Sequence, residues 1–327
     1  MILMIKMKMR GLVQIPLTAV IAALSVVVFA SLLSASAHAV EVQRVVSPGG
    51  IEAWLVEDHS NPIISLELAF RGGSALDPGG KAGLANLAAG TIDEGAGDLD
   101  SRVFQQELND KSISLSFSAG RDNFSGSLLT LSVNRDRAFE LLRLALTQAR
   151  FDEEPVERIR AQVLTSIVAS REDPDAIVGR TFREVLFGDH PYANRRQGSE
   201  EILAAITIED LRAFTAKRFA RDNLLVGVVG DISPDELSAL LDQTFMTLPE
   251  KAETKELPQA DIREEAVTVL VEMAIPQSVV AFGHKGVRRD DPDYYVAYVM
   301  NHILGGGSFS SRLYREVREE RGLAYSV

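Results

Sequence analysis

The sequence predicts an α+β fold built as two consecutive domains, and three observations lead to this prediction. Apolar segments with strand and helix periodicity follow one another without the strict alternation of a parallel doubly wound sheet. A charged segment with two prolines, Leu248–Glu265, interrupts this patterning, and strand-like and helix-like patterns start again after it. The length of 327 residues suggests two domains, at about 150 residues each.

The first 39 residues have the features of a secretory signal. Basic residues at positions 6, 8 and 10 precede an apolar stretch over residues 11–33, and Ala37-His38-Ala39 provides a small-x-small cleavage site. A retained inner-membrane anchor is the alternative, because the apolar stretch is nearly long enough to span a bilayer. We expect cleavage after residue 39 and export to a bacterial periplasm, with no stable membrane anchor afterwards.

Composition excludes several classes of function. The chain has no cysteine, which excludes disulfide scaffolds, thiolate metal sites and cysteine nucleophiles. Its formal charge of −12 argues against a nucleic-acid partner. Removal of residues 1–39 takes away three of the 34 basic residues and none of the 46 acidic ones, which leaves −15. A strongly acidic surface of this kind would attract basic peptides.

The first domain, residues 40–247, contains both kinds of periodicity. Alternating or continuous apolar segments predict strands at Ile51–Val56, Pro62–Phe70, Ser112–Ala119, Asn123–Val133 and Leu224–Asp231. Apolar residues at helical spacing predict helices at Ala82–Thr91, Arg102–Asp110, Arg135–Ala149, Glu153–Ser170, Ala176–Phe187, Ile208–Phe219 and Ser233–Phe245.

The pattern starts again after the linker in residues 266–327. Strands are predicted at Ala266–Met273 and Val279–Lys285, helices at Asp291–Leu304 and Phe309–Glu320, and a last strand from Leu323. These 62 residues would form a small second domain beside the first. We therefore expect a partial second domain that lacks its C-terminal part.

Two stretches together resemble a known family. They are GGSALDPGGKAGLANLAAGTIDEGAG, Gly72–Gly97, and LGGGSFSSRLYREVREERGLAYSV, Leu304–Val327. With the order of strands and helices between them, they resemble the M16 zinc metallopeptidases, the pitrilysin, insulinase and mitochondrial processing peptidase family. The resemblance covers essentially the whole chain after residue 39. It implies two homologous α/β sandwich domains of the LuxS/MPP-like metallohydrolase type, the second of them truncated here.

The first stretch aligns with the zinc motif of the family by position, but its residues lack the side chains that the chemistry of the motif needs. Active members carry H-x-x-E-H on a helix, where two histidines on one face hold zinc and the glutamate activates water, and a glutamate on a later helix completes the site. In this chain Asn86 and Gly90 occupy the histidine positions, Ala89 the position of the base and Ser166 that of the last ligand. The resemblance therefore implies no catalytic residue and no zinc cofactor in this chain.

Few other residues of the chain could replace the missing zinc ligands. The carboxylates of Asp93 and Glu94 share a face with Gly90 and could bind a cation weakly, although a solvated acidic helix end explains them better. After residue 39 the histidines are separate and at no ligand spacing, at His59, His190, His284 and His302.

The second stretch matches the family in its chemistry. Gly305, Gly306 and Gly307 allow a tight turn or a close approach to a partner, and Ser308 or Ser310 can cap the helix that follows. In the family, an arginine and a tyrosine at the positions of Arg312 and Tyr325 hold the substrate backbone and stabilise the oxyanion. Their side chains are hydrogen-bond donors suited to developing negative charge.

An ordinary structural reading stays open for this pair, with Arg312 bound to Glu316 on the helix surface and Tyr325 in a core. We favour the functional interpretation, because both residues stand within motifs typical of the family.

The resemblance implies a non-catalytic, substrate-binding subunit of a heterodimeric periplasmic zinc peptidase. The partner would be an M16 subunit that contains H-x-x-E-H and holds the zinc, and the ligands of the complex would be peptides. The alternative is an inactive scaffold or peptide-holding protein of the same fold with no role in proteolysis, for which the arginine–tyrosine pair would be unnecessary. An active peptidase with unrecognised ligands is disfavoured by the residues at the four degenerate positions.

Overall fold

The computed structural model describes residues 41–263 and 265–327. The signal segment expected over residues 1–39 lies outside this part of the chain. Within it, the helices are all too short or too polar to cross a membrane. The strands are β1 Gln43–Val46, β2 Glu52–Glu57, β3 Ile63–Arg71, β4 Ser114–Ala119, β5 Asn123–Leu131 and β6 Leu224–Gly230.

All six strands form one sheet, in the order β1-β2-β6-β3-β5-β4. Neighbouring strands are antiparallel except β2 and β6, which are parallel. The alternation of β3 shows why the sheet has a core face, since Ile64, Leu66, Leu68 and Phe70 are buried and the residues between them are more accessible. The chain is thus α+β with a mixed sheet, as the patterning predicts.

Nine helices belong to the described residues. They are α1 Leu84–Thr91, α2 Ser101–Asp110, α3 Arg135–Gln148, α4 Glu153–Ala169, α5 Pro174–Phe187, α6 Glu200–Ala204, α7 Ile208–Arg218, α8 Pro234–Phe245 and α9 Tyr294–Asn301. Several of these helices have a side-chain cap at the N-terminus. Thr207 and Ser233 form capping boxes at α7 and α8, in which the cap residue and the third helical residue each accept from the backbone of the other. Two short elements, β1 and α6, were not predicted.

The core lies between the sheet and the helices that cover one of its faces. Phe70 of β3 stacks on Phe219 with ring centroids 4.5 Å apart. Phe124 of β5 lies 4.9 Å from Phe219 and 5.7 Å from Phe214 of α7. This aromatic cluster joins the sheet to α7, because buried aromatic pairs contribute both area and specific ring contacts.

The opposite face of the sheet is accessible to solvent. Trp54 of β2, Leu129 of β5 and Val229 of β6 all point there and are each about half exposed. They lie among small or polar residues such as Ser65 and Ser127.

The linker lacks regular structure, as expected. Residues 252–263 contain neither helix nor strand. Two backbone hydrogen bonds hold the start of the linker against α7 and the loop after it. Arg221 N donates to Pro249 O at 2.9 Å, and Glu253 N donates to Lys217 O at 2.7 Å. The division of the chain into two domains at this segment stays a prediction.

The prediction of strands after the linker is wrong. Within the described residues, Ala266–Met273, Val279–Lys285 and the segment from Leu323 pair with no other strand. Their apolar side chains are exposed, Leu270 by 82% and Phe282 by 75%. A lone strand is unstable because its backbone groups and its apolar face both stay in water.

The two helices predicted in this region form only in part. Asp291–Leu304 becomes α9 followed by the π-helical turn His302–Gly306. Phe309–Glu320 becomes a short 3-10 turn, Ser308–Ser310, and a π-helical segment, Tyr314–Glu319. Three consecutive glycines at 305–307 weaken the α-helix at its end, because glycine loses the most backbone freedom on ordering.

Candidate functional site

Helix α1 carries the degenerate zinc frame, and two glycines determine how its first turn is packed. Gly83 precedes the helix with φ 101°. A β carbon on Gly83 would lie 2.6 Å from the carbonyl oxygen of Gln197, and one on Gly198 would lie 2.1 Å from that of Ala82. Only glycine allows this contact, which places the loop between α5 and α6 directly against the start of α1.

Asp77 holds the N-terminus of α1. Its carboxylate accepts hydrogen bonds from the backbone N–H of Gly83 at 3.0 Å and of Ala85 at 3.1 Å. Burial raises the pKa of Asp77 to about 7, although these bonds and the charge of Arg218 act in the opposite direction. Arg218 is itself buried and donates to the backbone carbonyls of Gly72 and Leu76. These hydrogen bonds connect the turn before α1 to the first turn of that helix and to α7.

The frame positions on α1 cannot supply zinc ligands. Asn86 is half-buried and offers only a neutral amide, and Ala89 is buried with no donor atom. A β carbon on Gly90 would lie 2.9 Å from Cγ2 of Ile159 on α4. Helix α4 therefore occupies the space that a histidine side chain at position 90 would need.

Ser166 lies on α4, and the structure brings it near the start of α1. Its hydroxyl accepts a hydrogen bond from Nε2 of Gln197 at 3.4 Å, and Gln197 belongs to the loop that packs against Gly83. Of the four frame positions, only Asn86 and Ser166 carry polar side chains, an amide and a hydroxyl. Across residues 41–263 and 265–327, no group of three or more His, Asp or Glu side chains is placed to hold a metal ion.

The acidic pair after α1 has structural contacts. Glu94 accepts hydrogen bonds from Nη2 of Arg158 at 2.6 Å and from the hydroxyl of Ser101 at the start of α2. Burial, together with the nearby charge of Glu94, raises the pKa of Asp93 to about 6. These contacts connect α1, α2 and α4. Both acids are largely buried, with the side chain of Glu94 only 13% exposed, so the expectation of a solvated acidic helix end is wrong.

The histidines make separate local contacts. His59 lies between two carboxylates, with Nδ1 2.6 Å from Asp231 and Nε2 2.8 Å from Glu57. His190 accepts from the backbone N–H of Tyr192 and lies 2.9 Å from the carbonyl of Pro258, and the ring of His284 meets a neighbouring backbone carbonyl. Nε2 of His302 would be 3.2 Å from a β carbon on Gly307.

Arg312 and Tyr325 are both exposed, Tyr325 by 83%. Among the described residues Arg312 makes no hydrogen bond or ion pair, and nothing joins it to Tyr325. Glu316 binds Arg315 and Arg321 instead of Arg312, and Tyr325 is outside any core. The structural reading of this pair is therefore wrong in both of its parts, while the functional one stays a prediction.

Sequence reasoning missed the residue that contacts Tyr325. The guanidinium of Arg318 lies 4.4 Å from the ring centroid of Tyr325 and 4.8 Å from that of Tyr314. The spacing of four residues indicates the contact of Arg318 with Tyr314, since such residues are neighbours on a helix, but no local spacing indicates its contact with Tyr325.

The glycine loop is tight for steric reasons at its last position. A β carbon on Gly307 would lie 2.8 Å from the carbonyl oxygen of His302, and one on Gly305 would lie 3.2 Å from Cδ1 of Leu313. The cap that follows is Ser311, whose hydroxyl accepts from the backbone N–H of Tyr314 at 3.3 Å, so the expectation of Ser308 or Ser310 is wrong. Ser308 has φ 48° and Ser310 bonds back to Gly307.

Comparisons with known proteins show which family the chain resembles. Residues 205–327 match the family model described as the peptidase M16 inactive domain. A non-peptidase homologue from Helicobacter pylori is 31% identical over 272 residues, which is 83% of this chain and 62% of that protein. An uncharacterised zinc protease of Mycobacterium leprae is 30% identical over 60% of this chain and 45% of its own length. The chain thus spans about half to two thirds of the length of these relatives.

Two solved structures are similar in fold. The structure of a peptidase M16 inactive domain from Pseudomonas fluorescens has a TM-score of 0.78 and 28% identity, and the match covers 88% of this chain and 69% of that one. The periplasmic protease PqqL of Escherichia coli has a TM-score of 0.59 at 17% identity, over 66% of this chain and 25% of its own.

Proposed function

The chain belongs to the M16 peptidase family, and from this premise we propose that it is a non-catalytic, substrate-binding subunit of a heterodimeric M16-type zinc peptidase. The zinc and the H-x-x-E-H motif would belong to a partner subunit. We further propose that this complex is periplasmic, which the secretory features of residues 1–39 support.

One observation carries the proposal: the zinc frame has lost its ligands while Arg312 and Tyr325 stay exposed and accessible to another chain. The guanidinium of Arg312, which has no side-chain partner among the described residues, and the phenol hydroxyl of Tyr325 can both donate to a peptide carbonyl oxygen. Their role would be to hold the substrate backbone and to stabilise negative charge on that oxygen during cleavage. The glycine turn 305–307 would let the peptide approach the backbone closely.

The accessible face of the sheet supports an arrangement of two chains. Trp54, Leu129 and Val229 are accessible on it. A second subunit over this face would enclose a chamber and position a peptide between the two chains, which is where much of the rate acceleration by a split enzyme arises.

A reconstitution experiment tests the proposal. The purified chain alone should not cleave unstructured peptides, and mixing it with an M16 subunit that contains H-x-x-E-H should raise the activity of that subunit by orders of magnitude. A partner that is fully active alone would contradict the proposal. An unrelated protein of similar charge serves as the control for nonspecific stabilisation.

The second candidate is an inactive scaffold or peptide-holding protein, and one contact favours it. Arg318 covers one side of the Tyr325 ring at 4.4 Å, which gives the tyrosine a structural contact within this chain. A scaffold would bind its partner without any change in the kcat of that partner, and the reconstitution experiment separates the two functions.

A further inference from the structure

Six arginines gather around the loop between α5 and α6, and we call them the arginine cluster. They are Arg121, Arg171, Arg180, Arg183, Arg195 and Arg196. Two lie on α5, two in the loop, one just after α4 and one at the turn between β4 and β5. A concentration of arginine here is opposite to the acidic character of the whole chain.

Contacts of Tyr192 bring these segments together. The hydroxyl of Tyr192 donates to Asp122 at 2.6 Å, and Nε of Arg121 donates to the carbonyl of Tyr192 at 3.4 Å, so the β4–β5 turn is held against the loop. The ring of Tyr192 also packs edge-on against Phe187 of α5 at 5.4 Å. Arg183 lies one turn before Phe187 on that helix.

The arginines are close enough to affect one another. Burial, followed by the positive charges of Arg183 and Arg196, lowers the pKa of Arg121. Burial and the charge of Arg180 lower the pKa of Arg195, against the opposing effect of Glu184. Like charges at this proximity repel, so binding of an anion would relieve the repulsion.

The acids near the cluster leave part of it uncompensated. Glu200 pairs with Arg171, Glu184 lies 4.0 Å from Arg180, and Asp122 accepts from Tyr192. Four arginines of the cluster form no ion pair among the described residues, namely Arg121, Arg183, Arg195 and Arg196. In addition, Nε of Arg183 is buried and has no hydrogen-bond partner in the part of the chain that the structure describes. A buried donor of this kind favours a ligand that can accept from it.

The cluster adjoins the degenerate zinc frame. Arg195 and Arg196 directly precede Gln197 and Gly198, which contact Ser166 and the start of α1. A peptide that passed along the frame would therefore also pass the cluster.

We propose that the arginine cluster binds acidic segments of peptides, through the carboxylates of aspartate and glutamate side chains. Planar guanidinium groups match carboxylates with two parallel hydrogen bonds. A nucleic-acid duplex, with one charge per ~1.7 Å of axis, would extend beyond the cluster onto the acidic surface, which argues for a short anionic segment. This inference rests on the proposed function and names its substrate class, contrary to the basic peptides that net charge alone suggests.

Fluorescence anisotropy on the purified protein, without any partner subunit, tests the inference. Two labelled peptides are compared, one with four glutamates and one with glutamine at the same positions. We expect the glutamate peptide to bind at least about tenfold more tightly at low salt, with the difference decreasing as salt screens the charges. The double variant Arg195→Gln/Arg196→Gln should raise its Kd about fivefold or more. Arg102→Gln, an exposed arginine on α2, should leave it unchanged.

Equal binding of the two peptides, or an unchanged Kd in the double variant with native circular dichroism, would overturn the inference. Displacement by inorganic phosphate at concentrations below that of the peptide would overturn the assignment to carboxylates. The measurement involves no catalysis. A negative result would therefore overturn only this inference, and the proposed function would still be tested by the separate reconstitution experiment.

Discussion

At the scale of single residues, the frame positions lack imidazole and carboxylate groups, and Gly90 is also packed against a neighbouring helix. Restoring one side chain would meet the neighbouring helix, because Gly90 and Ile159 are in close contact.

Gly90→His should destabilise the protein. Overpacking of this kind costs about 1–3 kcal/mol, which corresponds to a fall in Tm of roughly 2–10 °C for a domain of this size. Asn86→His, at a half-buried position, is the matched control and should change Tm much less. Recovery of Tm in Gly90→His/Ile159→Ala would identify the contact as the cause, and an unchanged Tm in Gly90→His alone would contradict it.

The purified chain should contain no stoichiometric zinc. The reason is the donor set at Asn86, Ala89, Gly90 and Ser166, which holds no imidazole or carboxylate. Elemental analysis after dialysis measures this directly. About one tightly bound zinc per chain, lost on mutation of these positions, would refute the prediction.

Arg312→Ala and Tyr325→Phe should each lower kcat of a reconstituted pair by about 10²–10³, the usual cost of losing one oxyanion donor. Arg312→Lys should not rescue activity, because an ammonium lacks the planar fork. Arg318 is unsuitable as a control since it contacts Tyr325, so Arg315→Ala on the same segment is used. Near-normal kcat in both variants, with assembly intact, would remove the assigned role.

At the scale of elements, the residues before and after the linker differ in whether their backbone N–H and C=O groups are paired between strands. Strands β1–β6 pair along their lengths and bury one face. Residues 266–290 have similar apolar content but no partner strand among the described residues, and they are exposed almost throughout. Low burial and unpaired backbone give such a segment low local stability.

Limited trypsin digestion should therefore cut first within residues 251–289, where Lys285, Arg288 and Arg289 are exposed. Arginines inside the packed helices, such as Arg160 on α4, should resist. Mass spectrometry of the early fragments identifies the sites. Initial cleavage within β3 or α4 would contradict this order of stability.

At the scale of the whole molecule, three titratable groups favour mildly acidic pH. Burial raises the pKa of Asp77 to about 7 and that of Asp93 to about 6. Hydrogen bonds to Asp231 and then Glu57 raise the pKa of His59. A group whose pKa is raised on folding binds its proton more tightly in the folded state. Its stabilisation is complete below the unfolded pKa and is lost as pH rises through the folded value.

The Tm should accordingly be several degrees higher at pH 5.5 than at pH 8. Asp77→Asn should reduce this difference, because the amide keeps a carbonyl for the first turn of α1 and does not titrate. Asp110→Asn, an exposed carboxyl at the end of α2, should leave the difference as it is. Scanning calorimetry at the two pH values gives the answer, and a higher Tm at pH 8 would reverse the assignment.

Sequence patterns located most elements of residues 43–245 but missed β1 and α6. Both are short, four and five residues long, so periodicity cannot be read from them. The capping serine before α6 was a usable signal, since Ser199 accepts from the backbone N–H of Ile202.

By itself, the sequence determined the α+β class, the family and the loss of the zinc ligands, because periodicity and residue type are local properties. Only the tertiary structure decided the strand order with its parallel β2–β6 pair, the contact between Gly90 and Ile159, and the gathering of arginines from four segments. It also decided that residues 266–284 form no strand pair with the rest of the described chain. The physical reason is the same in each case: strand pairing, close packing and charge clustering depend on residues far apart in the chain, and no local pattern records which of them will meet.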